Sequence, residues 1–266
     1  MKVPPLGPHW TRRLRGRREP ADLDHCRSDG TTAGYDNAFD RVDGHQVAIW
    51  WERFRRIIDP RFYPVLHESP KGDPQTWPIR VLVGTEIPVT CASIEFAAMA
   101  GKIVPVMETE SLFRILEIGA GYGGLARAIL GTCRQIESYT IVDIPQVARV
   151  AAWYLADYPK VRVILPDELA AVPLPTLVIQ TRGFAEMSAA ELAYYFAYIN
   201  RLRPGAMLWT INRLTKVSAL RDYPFDARWA VRRLSGWDGP NMRELLAIRT
   251  KAAQRQGVRE ALRKSD

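Results

Sequence analysis

The chain has 266 residues, 47% hydrophobic and 25% charged, which suits one large domain or a core domain with a smaller attachment. No run approaches the roughly 18–20 uninterrupted apolar residues that cross a bilayer, so no membrane span is expected. The formal net charge of +8 sits at the two ends: six basic residues against one acid in 1–20, and six against two in 249–266. The body between them is close to neutral. A nucleic-acid enzyme is expected to carry a basic face on its folded body, so nucleic acid is not an expected partner. The ends read as solvated tails or as weak docking to an acidic surface. Met1 to Pro20 is basic but precedes no apolar stretch, and does not read as a secretory leader. Three scattered cysteines (Cys26, Cys91, Cys133), in no metal-ligand spacing, fit free thiols in a cytoplasmic setting.

Residues 1–34 mix Arg, Pro, Gly, Asp and Ser with little periodicity, so a disordered segment is expected there. From Tyr35 to Ile58, Phe39, Val42, Val47, Ile49, Trp50, Phe54 and Ile57 recur at helical spacing and predict one or two helices. A Pro- and Gly-rich loop (Asp59 to Pro78), a short strand (Ile79 to Val83) and a helix from Cys91 to Met107 follow, so 35–107 is expected to be a helical cap. A regular alternation then begins. Strands are predicted at Leu112–Ile118, Ser138–Val142, Val161–Leu165, Thr176–Gln180 and Ala206–Asn212. Helices are predicted at Gly123–Gly131, Pro145–Tyr158 and Ser188–Leu202. Ser188 and Glu191 form a capping-box pattern. Arg228–Leu234 and Leu245–Arg249 suit a terminal antiparallel pair joined through 236–240. Strand and helix at this pace predict an α/β, Rossmann-like core over 108–250, a mostly parallel sheet with helices on both faces. A basic tail, 251–266, follows.

The chemistry-bearing stretch is Leu116-Glu117-Ile118-Gly119-Ala120-Gly121-Tyr122-Gly123-Gly124, which leaves a predicted strand and opens a predicted helix. Glycines there permit a tight turn and let a ligand lie on bare backbone. Two acids sharpen the pattern. Glu117, two residues before the first glycine, can receive an ammonium group. Asp143, at the end of the second strand, is placed to accept hydrogen bonds from ribose hydroxyls. Together they describe a ligand with an amino acid at one end and a ribose at the other, as in S-adenosylmethionine. The plainer reading makes Glu117 a backbone cap and Asp143 the cap of the helix beginning at Pro145.

With these residues in view, the sequence resembles the class I S-adenosylmethionine-dependent methyltransferases. More narrowly, it resembles the bacterial sugar O-methyltransferases of polysaccharide biosynthesis. The likeness runs through Leu116–Ala126, Val142-Asp143-Ile144-Pro145 with Tyr154-Leu155, and Phe184-Ala185-Glu186-Met187 with Tyr195-Phe196. It continues in Ile211-Asn212-Arg213 and in Tyr223-Pro224-Phe225-Asp226 with Trp229, and covers about 110–235. It implies a seven-stranded sheet with the last strand antiparallel and S-adenosylmethionine as cofactor. Glu117, Gly119, Ala120, Gly121 and Tyr122 would hold the methionyl end, Asp143 the ribose, and Ile144 the adenine. Asp167 falls where an acid meets the adenine amino group, although a solvated loop acid reads equally well. Gln180 and Thr181 would border the sulfonium.

Methyl transfer to a hydroxyl is helped by a general base. Glu186 is the nearest candidate, with a capping role as its alternative. Asp226, among Tyr223, Phe225 and Trp229, suits a sugar ring stacked on aromatics, or ordinary core packing beside a turn acid. His45 and His67, in the cap, are further base candidates or plain surface histidines. Arg182 reads as a partner for a substrate carboxylate or phosphate, or as a surface arginine. A Mg²⁺-assisted route is chemically compatible with a diol, but no ligand cluster supports a metal. The expectation is a sugar or glycan O-methyltransferase whose cap shapes the acceptor pocket and contributes to a homodimer. An O- or N-methyltransferase of a small natural product and a non-catalytic binding protein of the same fold are its rivals.

Overall fold

A computed structural model describes residues 3–7, 23–27, 43–82, 85–213, 223–234 and 242–251. The first part of the helix expected from Tyr35, the connection expected at 236–240 and the basic tail beyond Lys251 lie outside them.

Seven strands form one sheet: β3 (Arg114–Ile118), β4 (Ser138–Val142), β5 (Val161–Ile164), β6 (Leu177–Thr181), β7 (Met207–Arg213), β8 (Trp229–Leu234) and β9 (Met242–Arg249). Their order is β5-β4-β3-β6-β7-β9-β8. Strands β3 to β7 pair in parallel, and β9 runs antiparallel between β7 and β8. This is the seven-stranded, Rossmann-like sheet with a reversed last strand that the sequence leads one to expect. The connections are helical: α4 (Gly124–Thr132), α5 (Pro145–Tyr154) and α6 (Ala189–Ile199). Ser188 caps α6, accepting from the amide of Glu191, whose carboxylate accepts from the Ser188 amide at 2.7 Å.

Period-two alternation splits the sheet into two buried faces. Ile115, Tyr139, Ile141, Leu177, Ile179 and Trp209 belong to one core cluster. Leu116, Ile118, Val142, Val178 and Leu208 belong to the other, packed with Phe196 and Tyr198 of α6. The first face is shared with the N-terminal elements, so these do not form a separate unit: Val47, Phe54, Phe62, Ile94 and Met99 lie in the same cluster as the strands. Those elements are α1 (Gly44–Phe54), α2 (Tyr63–Leu66), the hairpin β1 (Trp77–Leu82) and β2 (Thr85–Val89), and α3 (Cys91–Glu110). The strand expected at Ile79–Val83 is present as β1, and it has a partner the sequence reading did not include: β2 completes a two-stranded antiparallel ribbon in which Pro78 stands opposite Pro88. Proline inside β2 hides the strand from a propensity reading.

Two pieces of the region expected to be disordered are packed. Gly7 donates its amide to Glu191 at 3.0 Å, and Cys26 and Arg27 are buried.

Glu244 of β9 is buried, accepts from Trp209 Nε1 at 2.8 Å and is ion-paired with Lys102 of α3. It ties the reversed strand to both the sheet and the N-terminal helix. Glu244→Leu leaves an indole N–H and an ammonium without their partner. The expected cost is about 3–5 kcal/mol, measured by urea unfolding. Glu244→Gln, which keeps an acceptor for Trp209, is expected to cost less.

Candidate functional site

All five parallel strands end on one edge of the sheet, and ligands in such folds bind outside those carboxyl ends. Ile118 pairs with both Val142 and Gln180. The segments after β3, β4 and β6 are therefore neighbours in space.

The loop after β3 turns at three glycines with positive φ: Gly119 (+72°), Gly121 (+61°) and Gly123 (+94°). The first and third do different work. A Cβ on Gly119 would meet none of the described residues within 4 Å, so they leave the backbone there open. A Cβ on Gly123 would come within 2.6 Å of Leu155 Cδ1, so a side chain there would crowd Leu155 as well as strain the φ of +94°. The Gly119 amide donates to Val142 O at 2.9 Å, anchoring the loop to β4. The ring of Tyr122 turns inward, edge-on to Phe96 at 5.9 Å and Tyr154 at 5.0 Å. Tyr122 thus offers a ligand its backbone rather than its ring.

Glu117 is 1% exposed. Its Oε2 accepts from Tyr139 OH at 2.7 Å, while Oε1 has no hydrogen-bond partner among the described residues. Glu117 and Tyr139 share one face of the sheet, on diagonal positions of paired strands, which is within the reach of a tyrosine. Burial pushes the Glu117 carboxyl up to about 7, Tyr139 opposes that shift and the charge of Asp143 adds to it. Asp143 follows β4. It accepts from Ile144 N at 2.8 Å and from Gly121 N at 3.3 Å, so its carboxylate reaches back to the glycine loop. Burial raises it to about 7 against those two amides. Ile144, the N-cap of α5, is nearly buried, and Asp167 is exposed in the turn after β5.

Near the end of β6, Gln180 is fully buried. Its Oε1 accepts from Thr210 Oγ1 at 3.0 Å and Asn212 Nδ2 at 2.6 Å, while its Nε2 has no partner among the described residues. Thr181 ends the strand half-buried. Arg182 adopts the left-handed region, φ +64°. Its guanidinium is ion-paired with the buried Glu95 of α3, so its charge is matched within the protein. Glu186 lies half-buried in the 3-10 turn Gly183–Glu186, on the same edge of the sheet.

Other candidates lie elsewhere. Trp229 pairs with Arg249, level with the beginning of β7, at the opposite edge from the glycine loop. Asp226 is there too, ion-paired with Arg249 and Arg228. Burial disfavours its charge, but the hydrogen bonds from those arginines outweigh it and hold the carboxyl at about 2. A carboxylate so placed and so acidic is no base for chemistry at the loop. Tyr223 is buried against Phe184, Phe196 and Phe225. The aromatic group read as a sugar platform is core packing. His45 and His67 are exposed on α1 and at the end of α2. Among the described residues, no group of three His, Cys, Asp or Glu could hold a metal ion, and no helix is long and apolar enough to cross a membrane.

No protein-family model and no curated protein matches the chain. Among solved structures it is similar to human N-acetylserotonin methyltransferase in complex with SAM. That match has 13% identity and a TM-score of 0.42, over 60% of this chain and 56% of that one. It is also similar to the CurJ carbon methyltransferase, with 16% identity and a TM-score of 0.47, over 60% and 56%. A third is the O-methyltransferase NcsB1 of neocarzinostatin biosynthesis, with 13% identity and a TM-score of 0.43, over 60% and 58%. The matches span little more than half the length of these three proteins.

The two raised carboxyls make the stability of the free chain depend on pH. Each binds its proton more tightly in the folded than in the unfolded state. Their favourable contribution is therefore full below about pH 4 and is lost as pH rises through about 7. Asp143→Asn and Glu117→Gln are expected to gain thermal stability relative to wild type between pH 5 and pH 8, read by scanning fluorimetry. A difference that stays constant over that range contradicts the assignment.

Proposed function

We propose that the chain is an S-adenosylmethionine-dependent methyltransferase that methylates a hydroxyl of a sugar or glycan. One observation carries the cofactor half of this reading. Glu117 holds a buried carboxylate oxygen with no partner among the described residues, beside an open glycine backbone and a second buried carboxylate, Asp143, just past the end of the neighbouring strand. Such a pair suits a ligand that brings an ammonium to one acid and a diol to the other. The open backbone between them suits the sulfonium-bearing chain that joins the two. Gly119, Ala120 and Gly121 would line that chain, Ile144 would pack on the base, and Asp167 would face its amino group.

When bound, the cofactor supplies a methyl group made electrophilic by the sulfonium. The protein's part is to orient the acceptor in line, about 3–3.5 Å from that carbon, and to receive the hydroxyl proton. Gln180 and Thr181 end the strand beside the glycine loop, where the reacting carbon would lie. Glu186, one short turn further, is the carboxylate that this reading places closest to the acceptor. The sugar as acceptor rests on the resemblance of Phe184–Met187 and Ile211–Arg213. The aromatic residues around Asp226 give it no support.

Asp143→Ala is expected to weaken binding of S-adenosylhomocysteine by about 1–3 kcal/mol, from lost hydrogen bonds to a charged group. Calorimetry that finds unchanged affinity in the folded variant removes the ribose assignment. A panel of glycosylated and aglycone acceptors with methyl-labelled cofactor tests the substrate class. With an acceptor in hand, Glu186→Gln is expected to lower turnover far more than cofactor affinity. Binding without turnover on any acceptor points to the non-catalytic alternative.

A further inference from the structure

Arg27 lies 95 residues before Tyr122 in the chain, yet its guanidinium is built into the glycine loop. The side chain is 1% exposed. Nη1 donates to Glu68 Oε1 at 3.0 Å, Nη2 to the Tyr122 hydroxyl at 3.4 Å, and Cζ stands 4.4 Å from the centre of the Tyr122 ring. With Phe96 and Tyr154 edge-on to the same ring, Tyr122 is enclosed by groups from the N-terminal segment, α3 and α5.

The anchor behind Arg27 is itself fixed. Glu68 also accepts from Ser69 N at 2.8 Å and Thr90 Oγ1 at 2.6 Å. Burial disfavours its charge, but Arg27 and these hydrogen bonds keep its carboxyl below the usual range. The segment has a fitted seat. The Arg27 amide donates to Gly72 O at 2.8 Å. A Cβ on Gly72 would come within 2.7 Å of Arg27 Cγ and 3.1 Å of Cys26 Sγ, and Gly72 has φ +84°. A buried ion pair is weak evidence of stability for its own sake, since desolvation offsets most of its attraction. What this one supplies is a defined place for Tyr122, and hence for the loop between Glu117 and Asp143.

We propose that Arg27 is a positioning residue of the cofactor site: by clamping Tyr122 it holds the 119–123 loop in its binding shape, so docking of 23–27 and cofactor binding favour each other. The inference rests on the cofactor reading given above. Coupling between two binding events is reciprocal, so each side can be measured from the other.

On the loop side, Arg27→Lys keeps a cation for Glu68 but lacks the planar fork that covers a ring while bonding beyond it. Calorimetry on the full chain is expected to show S-adenosylhomocysteine bound at least about fivefold more weakly by Arg27→Lys. Arg249→Lys, which perturbs an ion pair at the opposite edge of the sheet, is expected to change binding by less than about twofold. On the segment side, Cys26 is a buried cysteine within the docked piece. Saturating S-adenosylhomocysteine is expected to slow its labelling in the wild type by at least about fivefold, beyond any slowing of Cys133.

Arg27→Lys binding within about twofold of wild type overturns the inference. So does Cys26 labelling that ligand leaves unchanged, or slows only as much as Cys133. If Arg27→Lys does not fold, the labelling of the wild-type chain decides alone. A wild-type chain that does not bind S-adenosylhomocysteine overturns the cofactor reading, and this inference with it. Wild-type binding with indifferent Cys26 labelling overturns this inference alone.

Discussion

Glu117 occupies a place where an ionised carboxylate is costly. It lies at the end of a central parallel strand, buried on the sheet face that carries the larger hydrophobic cluster. Tyr139 satisfies one oxygen, and none of the described residues satisfies the other. The protein keeps this acid within reach of a second one, Asp143, whose charge makes the first harder to ionise. Two such groups side by side are a poor arrangement for a fold alone. They make sense if a cation arrives to meet them. The glycine loop, the inward turn of the Tyr122 ring and the anchoring of Gly119 to Val142 all leave room at that point.

The parallel core was legible because its signals are local and repeat. Strand, glycine turn and helix follow one another with the right residues at the junctions: Gly119 to Gly123 after β3, Pro145 opening α5, Ser188 with Glu191 opening α6. The acids were legible for the same reason, since each stands at a fixed offset from a strand end. What was not legible depends on contacts distant in sequence. Tyr139 reads as an ordinary strand residue until β3 and β4 are paired in register. Arg27 and Glu95 reach partners 95 and 87 residues away. The spacing around them, in a segment of low periodicity and in an apolar helix, gives no sign of either pair.

Asp226 shows how a residue pattern misleads. Aromatic side chains flanking an acid describe a carbohydrate platform and also describe the end of a core. The direction of β8 decides between them. It runs parallel to β7 because β9 lies antiparallel between the two, so the residues leading into it stand at the amino edge. Three strand directions, not the composition of the segment, place Asp226 away from the loop and beside Arg249. A sequence reading cannot supply that sign until the order of the last strands is known.

The β1–β2 ribbon is short, two-stranded and separate from the large sheet. Exposed strand edges invite a passing chain to add itself by backbone pairing. Pro78 and Pro88, facing each other across the ribbon, carry no N–H to offer such a strand. On the outer strands of the main sheet, Arg162 of β5 is paired with Glu168, while β8 bears the exposed Arg232 and Arg233. Stacking a second copy on β8 would bring like charges together. The edges that the fold leaves open are thus guarded by two unrelated chemistries, a missing donor on the ribbon and cationic side chains on the sheet. Both resist templated aggregation without altering the site.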